Sequence, residues 1–203
     1  MTNDNRAEKY FKQKNYSIAE MIFLAIAIVA GFVATFVWGG GPIGLPVTLV
    51  AILGFSICRS FKIRDTEMEH RLEKILVDNQ IERTEETLVG YDLNQTMLKK
   101  RKDGKVISPI YYLTNIVFTS AETIFYIYII NLISATVEKK CLALDELKGV
   151  ELAEDTMKTP VGPRRVSYLK IEGVEKLVPI TLTDYQSTQL MEKICHRHKK
   201  NKP

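Results

Sequence analysis

The chain has 203 residues, with 28 Lys and Arg against 24 Asp and Glu, a formal net charge of +4. So small a surplus argues against a nucleic-acid binder, in which a basic face normally dominates the domain, and suits a protein lying against an anionic leaflet. Three scattered cysteines, Cys58, Cys141 and Cys195, lack Cys-x-x-Cys spacing, which argues against a disulfide framework and for a reducing compartment.

Residues 1–17 are polar, with Arg6, Lys9, Lys12 and Lys14 interleaved with Tyr10, Phe11 and Tyr16. Aromatic rings and long cations both suit the headgroup layer. The segment is either a short interfacial helix or a frayed tail.

Residues 18–58 organise the rest. This stretch is apolar, carries no positive charge, and has one carboxylate, Glu20, at its entrance. It is broken once, around Gly39-Gly40-Gly41-Pro42. About 20 apolar residues cross a bilayer as a helix, and here two such runs sit back to back. The first is expected over 18–38, with Trp38 at the far interface. The second is expected over 43–58, with Pro46 in its first turn, where a missing N–H matters little. It is short, and is completed either by Gly40 and Gly41 or by residues 59–61. Glu20 is expected to be solvated near the interface. Ala27, Gly31 and Ala34 permit close helix packing, within the hairpin or between copies. The first run is too long for the core of a cleavable signal peptide, and none is expected.

The positive residues Arg6, Lys9, Lys12 and Lys14 precede the first run; Arg59, Lys62 and Arg64 follow the second. The connection between the runs has none. Cations stay on the cytoplasmic side, so the expectation is a multi-pass protein of the inner cell membrane with both termini cytoplasmic. A hairpin dipping into one leaflet is the competing reading. A buried soluble pair fits less well, because these helices are apolar all round rather than striped.

Residues 59–86 read as a charged linker helix, with Met68, Leu72, Ile75 and Leu76 at helical spacing and Glu67–Arg71 as an i,i+4 pair. From residue 87 the period changes to alternation. Strands are expected over 88–98, 111–118, 123–130, 136–144, 150–157, 166–171 and 176–182. Asp103-Gly104 marks a turn after the first, and Pro160, Gly162 and Pro163 mark another. Thr183 and Asp184 open a final helix with Leu190, Met191 and Ile194 on its apolar face and a basic end. Residues 107–133 could be taken for a third span, but Asn115, Glu122 and Asn131 interrupt them and their β-branched and aromatic content favours strands.

Tyr111-Tyr112-Leu113-Thr114-Asn115, followed by Ile116-Val117-Phe118, resembles a strand of bacterial pleckstrin-homology-like (PH-like) domains. Cys141-Leu142-Ala143-Leu144-Asp145-Glu146-Leu147 with Val150 resembles another strand and turn of that family. Seven strands capped by one helix is its element order. The resemblance covers about residues 87–198, and departs from the family at Asn115-Ile116, where a basic residue is common. It implies a binding or assembly module, not a catalyst. Many eukaryotic PH domains hold inositol phosphates with basic residues of the first hairpin, although the bacterial members need not bind such lipids; by position that hairpin carries Lys99, Lys100, Arg101, Lys102 and Lys105. A solvated turn that keeps a sheet edge soluble explains the same cations.

Catalytic signatures are missing. His70, His196 and His198 have no nucleophile at recognisable spacing, and no P-loop, G-x-S-x-G or H-E-x-x-H motif occurs. Cys195-His196-x-His198 lacks the second pair that structural zinc needs. No metal or cofactor is expected. The expected architecture is an α+β membrane protein: a cytoplasmic segment (1–17), a transmembrane hairpin (18–58), a linker helix (59–86) and a seven-stranded PH-like barrel or sandwich with its C-terminal helix (87–203). The expected role is a scaffold at the inner face of a bacterial membrane, contacting lipid headgroups, a protein partner or a second copy. The alternative is an accessory subunit of a larger transport or secretion complex.

Overall fold

The computed structural model describes residues 3–14, 16–37, 41–84, 86–101, 103–119, 122–145, 149–172, 180–181 and 185–200. The chain forms two compact units. One comprises Met1–Phe11 with Asp65–Pro203; the other is Lys12–Arg64. The second unit is therefore an insertion into the first.

The inserted unit is a pair of helices, α2 (Ile18–Phe36) and α3 (Gly41–Ser60). At about 1.5 Å per residue each is about 30 Å long, and both are long and apolar enough to cross a bilayer by length and composition. α3 is lengthened at both ends relative to its expected span, so Pro46 lies inside the helix, beyond the first turn. Their seam is built on small residues. A Cβ at Gly44 would stand 2.7 Å from both the Ala30 carbonyl oxygen and the Ala34 Cβ; one at Gly54 would stand 2.5 Å from the Phe23 ring. Ala34, at least, packs within the hairpin. Thr35 and Thr48 donate to the carbonyls of Gly31 and Gly44, each at 2.8 Å, so these hydroxyls need no water.

The other unit is α+β with antiparallel sheets. Helix α1 (Asn3–Lys12) belongs to it, burying Ala7, Tyr10 and Phe11. The expected charged helix is shorter than its span: α4 runs Asp65–Asp78. It ends where Gln80 takes φ 54°, with the Ile81 N–H donating to Leu76 O (2.8 Å) and the Gln80 N–H to Val77 O (3.0 Å). That is a Schellman cap with glutamine where glycine is usual.

The strands are β1 (Thr87–Tyr91), β2 (Lys99–Lys100), β3 (Val106–Ile107), β4 (Ile110–Phe118), β5 (Glu122–Asn131), β6 (Thr136–Asp145), β7 (Val150–Thr159), β8 (Gly162–Ile171) and β9 (Ile180–Thr181). They form a four-stranded sheet β1-β4-β5-β6, a three-stranded sheet β7-β8-β9 and the small β2-β3 hairpin. Ile110–Phe118 and Glu122–Asn131 are paired strands, as expected, and not a third span: Leu113 lies opposite Tyr128 and Asn115 opposite Tyr126. The first expected strand stops at Tyr91 because Asp92 turns the chain, accepting from the Asn94 N–H at 3.0 Å and the Gln95 amide at 2.6 Å. Trp38, most of the seventh expected strand, Gly173, and the Thr183-Asp184 helix start lie outside the described residues.

Helix α5 (Tyr185–Lys200) supplies Leu190, Met191, Ile194 and Cys195 to the main core. Leu88, Ile116, Phe125 and Ile127 come to it from one sheet; Val150, Leu169 and Ile171 come from the other. Tyr111, Leu113 and Ile130 lie on the opposite face of the four-stranded sheet and are also buried. α4 contributes buried Met68, Leu72, Ile75 and Leu76, and Arg71 fixes it to the β5–β6 turn by donating to the carbonyls of Leu132 (2.6 Å) and Ile133 (2.7 Å). A smaller cluster of Leu93, Val106 and Val166 holds the β2-β3 hairpin.

Candidate functional site

The β2-β3 hairpin turns through Asp103-Gly104, where Gly104 takes φ 84° and the Arg101 N–H donates to Lys105 O at 2.8 Å. A left-handed residue here favours glycine. The hairpin does not present its cations alike. Lys100 and Lys105 are exposed; Lys102 lies outside the described residues. Lys99 is buried, with its Nζ 3.5 Å from the centre of the Tyr10 ring and donating to Tyr10 O at 3.2 Å. Such a cation over an aromatic face is attracted by the ring quadrupole.

Arg101 faces carboxylates instead. Its Nη2 lies 2.6 Å from Glu69, and its Nε lies 3.6 Å from Asp65 and 3.7 Å from Asp103. Burial alone would lower its pKa, but Glu69, then Asp103 and Asp65, outweigh that and raise it. Tyr10 completes the cluster: its hydroxyl donates to Asp65 Oδ1 at 2.8 Å. Burial, that hydrogen bond and the Asp65 charge push its phenol well above the ordinary tyrosine range. Arg6 meets Glu67 at 2.9 Å on the exterior. Thus α1 and α4 hold two of the five cations that the resemblance places on the first hairpin, while Lys100 and Lys105 are exposed.

A second polar cluster closes the open end of the α2–α3 pair. Ser17 and Glu20 form a capping box, in which the Ser17 N–H donates to Glu20 Oε2 at 2.6 Å and the Glu20 N–H to Ser17 Oγ at 3.2 Å. Lys62 Nζ also donates to Glu20 Oε2 and, at 3.2 Å, to Lys14 O. Glu20 is wholly buried. The solvated carboxylate that the sequence suggests is therefore a buried, paired one. Next to it, Gln13 clasps Ile63 in both directions: its amide donates to Ile63 O at 2.7 Å and its Oε1 accepts from the Ile63 N–H at 3.2 Å.

Tyr10, Asp65 and Glu69 are the members of the first cluster that sequence reasoning missed. No local pattern links residues so far apart. Ser17-x-x-Glu20 has the spacing of a capping box, but no local pattern links Glu20 to Lys62. The three cysteines form no disulfide, and Cys195 lies in the core. Among the described residues no group of three His, Cys, Asp or Glu side chains is placed to hold a metal ion.

The chain matches no family model, no curated protein and no solved structure.

Proposed function

We propose that this chain is a membrane-anchored, non-catalytic binding protein, in which α2 and α3 cross the bilayer and a PH-like domain works at the cytoplasmic face. The observation that carries the reading is the apolar exterior of the helix pair. Ile18, Phe32, Phe36, Ile43, Leu49 and Leu53 are among the large apolar side chains that stand exposed along both helices. Leaving each in water forgoes about 1.5–3 kcal/mol relative to burial, and lipid removes that penalty. The internally bonded threonines are what such an environment requires of polar groups. A four-stranded and a three-stranded antiparallel sheet followed by a helix support the PH-like reading.

The test is extraction. Full-length protein should stay in the membrane pellet through alkaline carbonate washing and should need detergent to dissolve. Recovery as a monodisperse protein in plain buffer would overturn the reading. The ligand we favour is an anionic headgroup, met by the exposed Lys100 and Lys105 at roughly 1 kcal/mol per cation. Replacing both by Glu in the full chain should reduce phosphatidylglycerol retained from mixed nanodiscs. Unchanged retention would remove the headgroup and leave a protein partner.

A further inference from the structure

We propose that α1 is a removable strap that keeps the basic hairpin in a closed, charge-compensated state, and that an anionic bilayer surface releases it. The inference rests on the headgroup reading above and adds its regulation. The buried Lys99 and the partly buried Arg101 of the hairpin are occupied by groups of this chain. Lys99 is held by the ring and carbonyl of Tyr10, and Arg101 by Glu69, Asp65 and Asp103. Tyr10 ties these together, since its hydroxyl also bonds Asp65. A phosphate reaching Arg101 must compete with three carboxylates already there. The arrangement is also imperfectly satisfied: Arg101 Nε is buried without a hydrogen bond.

The strap itself is built to leave. α1 has ten residues, too few for a stable isolated helix, so it keeps its helix only against a surface. Its buried face is Ala7, Tyr10 and Phe11; Lys9 and Lys12 lie on its exposed side. Aromatics on one face and lysines on the other are what an interfacial helix offers an anionic leaflet. Only residues 13–17 separate α1 from α2, a tether of at most about 18 Å. The same face therefore has two alternative burial sites, one on the protein and one in lipid, and a ligand that favours the second shifts the population. Release uncovers Lys99, so the hairpin gains one reachable cation as the strap departs, while Arg101 stays with Glu69, Asp65 and Asp103.

The experiment uses the full chain in nanodiscs of phosphatidylcholine, with and without phosphatidylglycerol. Spin labels at Asn5→Cys and Glu73→Cys, with the native cysteines replaced, report the α1–α4 distance. A single short distance is expected in phosphatidylcholine, and a second, longer one with phosphatidylglycerol. Tyr10→Ala should raise the released fraction about tenfold, and Tyr10→Phe, which loses only the bond to Asp65, should act in the same direction should Tyr10→Ala fail to fold. Phosphatidylglycerol retained with an unchanged distance in both variants would overturn the strap and spare the headgroup reading. An unchanged distance without retention would overturn both.

Discussion

Lys62 Nζ donates to Glu20 Oε2 at the open end of the α2–α3 pair, joining the first turn of one helix to the chain that leaves the other. Glu20 has no exposed surface, while the Lys62 side chain is 21% exposed. Breaking a buried pair from one side leaves an uncompensated charge. Lys62→Met should therefore destabilise the helix pair by about 3 kcal/mol, at the low end for buried pairs because Lys62 keeps some water. Glu20→Gln with Lys62→Met together should cost less than the sum of the single changes. Strictly additive losses in a reversible unfolding assay in detergent would show that the two side chains are not coupled.

The seam between the helices predicts a graded glycine series. Gly44→Ala meets backbone, at 2.7 Å from Ala30 O and 2.8 Å from Ala34 N, and cannot be relieved by a rotamer change. Gly54→Ala meets the Phe23 ring, which can turn aside, and Gly31→Ala meets only Thr48 Oγ1 at 3.9 Å, an ordinary contact. Overpacking costs about 1–3 kcal/mol, so Gly44→Ala should lie at the top of that range or above and Gly31→Ala near zero. Equal thermal shifts for all three variants would contradict this seam.

Gln80 carries φ 54° at the end of α4. A non-glycine residue in that region costs about 1–2 kcal/mol, partly offset in glycine by its greater freedom when unfolded. Gln80→Gly should therefore raise stability by about 0.5–1 kcal/mol. A loss of stability on chemical denaturation would mean that the Gln80 side chain matters more than its backbone.

Tyr10 predicts an alkaline limit to α1 docking. Its folded pKa is raised above the ordinary value of 10.0 by burial, by the hydrogen bond to Asp65 and by the Asp65 charge, against a lowering from Arg101. The contribution is complete below pH 10.0 and is lost as pH rises from there toward the folded value. Lys99 faces the same ring and Tyr91 is also raised, chiefly by burial, so Tyr10→Phe separates the contributions. That variant should dock α1 less tightly at neutral pH yet show a weaker alkaline loss of amide protection in α1. The same alkaline midpoint in both proteins would place the effect elsewhere.

Much of the architecture was legible because burial leaves a period in the sequence. The alternation from Ile110 to Asn131 identified β4 and β5 despite their oiliness, and Leu190, Met191 and Ile194 marked the core face of α5. What was not legible was set by tertiary partners. Lys99 and Lys100 look alike in sequence, and only the arrival of Tyr10 buries one and leaves the other in water. Glu20 reads as solvated because its cation comes from a residue beyond the second helix. The first strand reads too long because the Asp92 turn interrupts a run that still alternates.

The most direct test of the central claim is topology. Reporters fused at Gly41 and at Pro203 of the full chain should lie on opposite sides of the membrane, Gly41 outside and Pro203 in the cytoplasm. Both reporting cytoplasm would contradict a hairpin that crosses the bilayer.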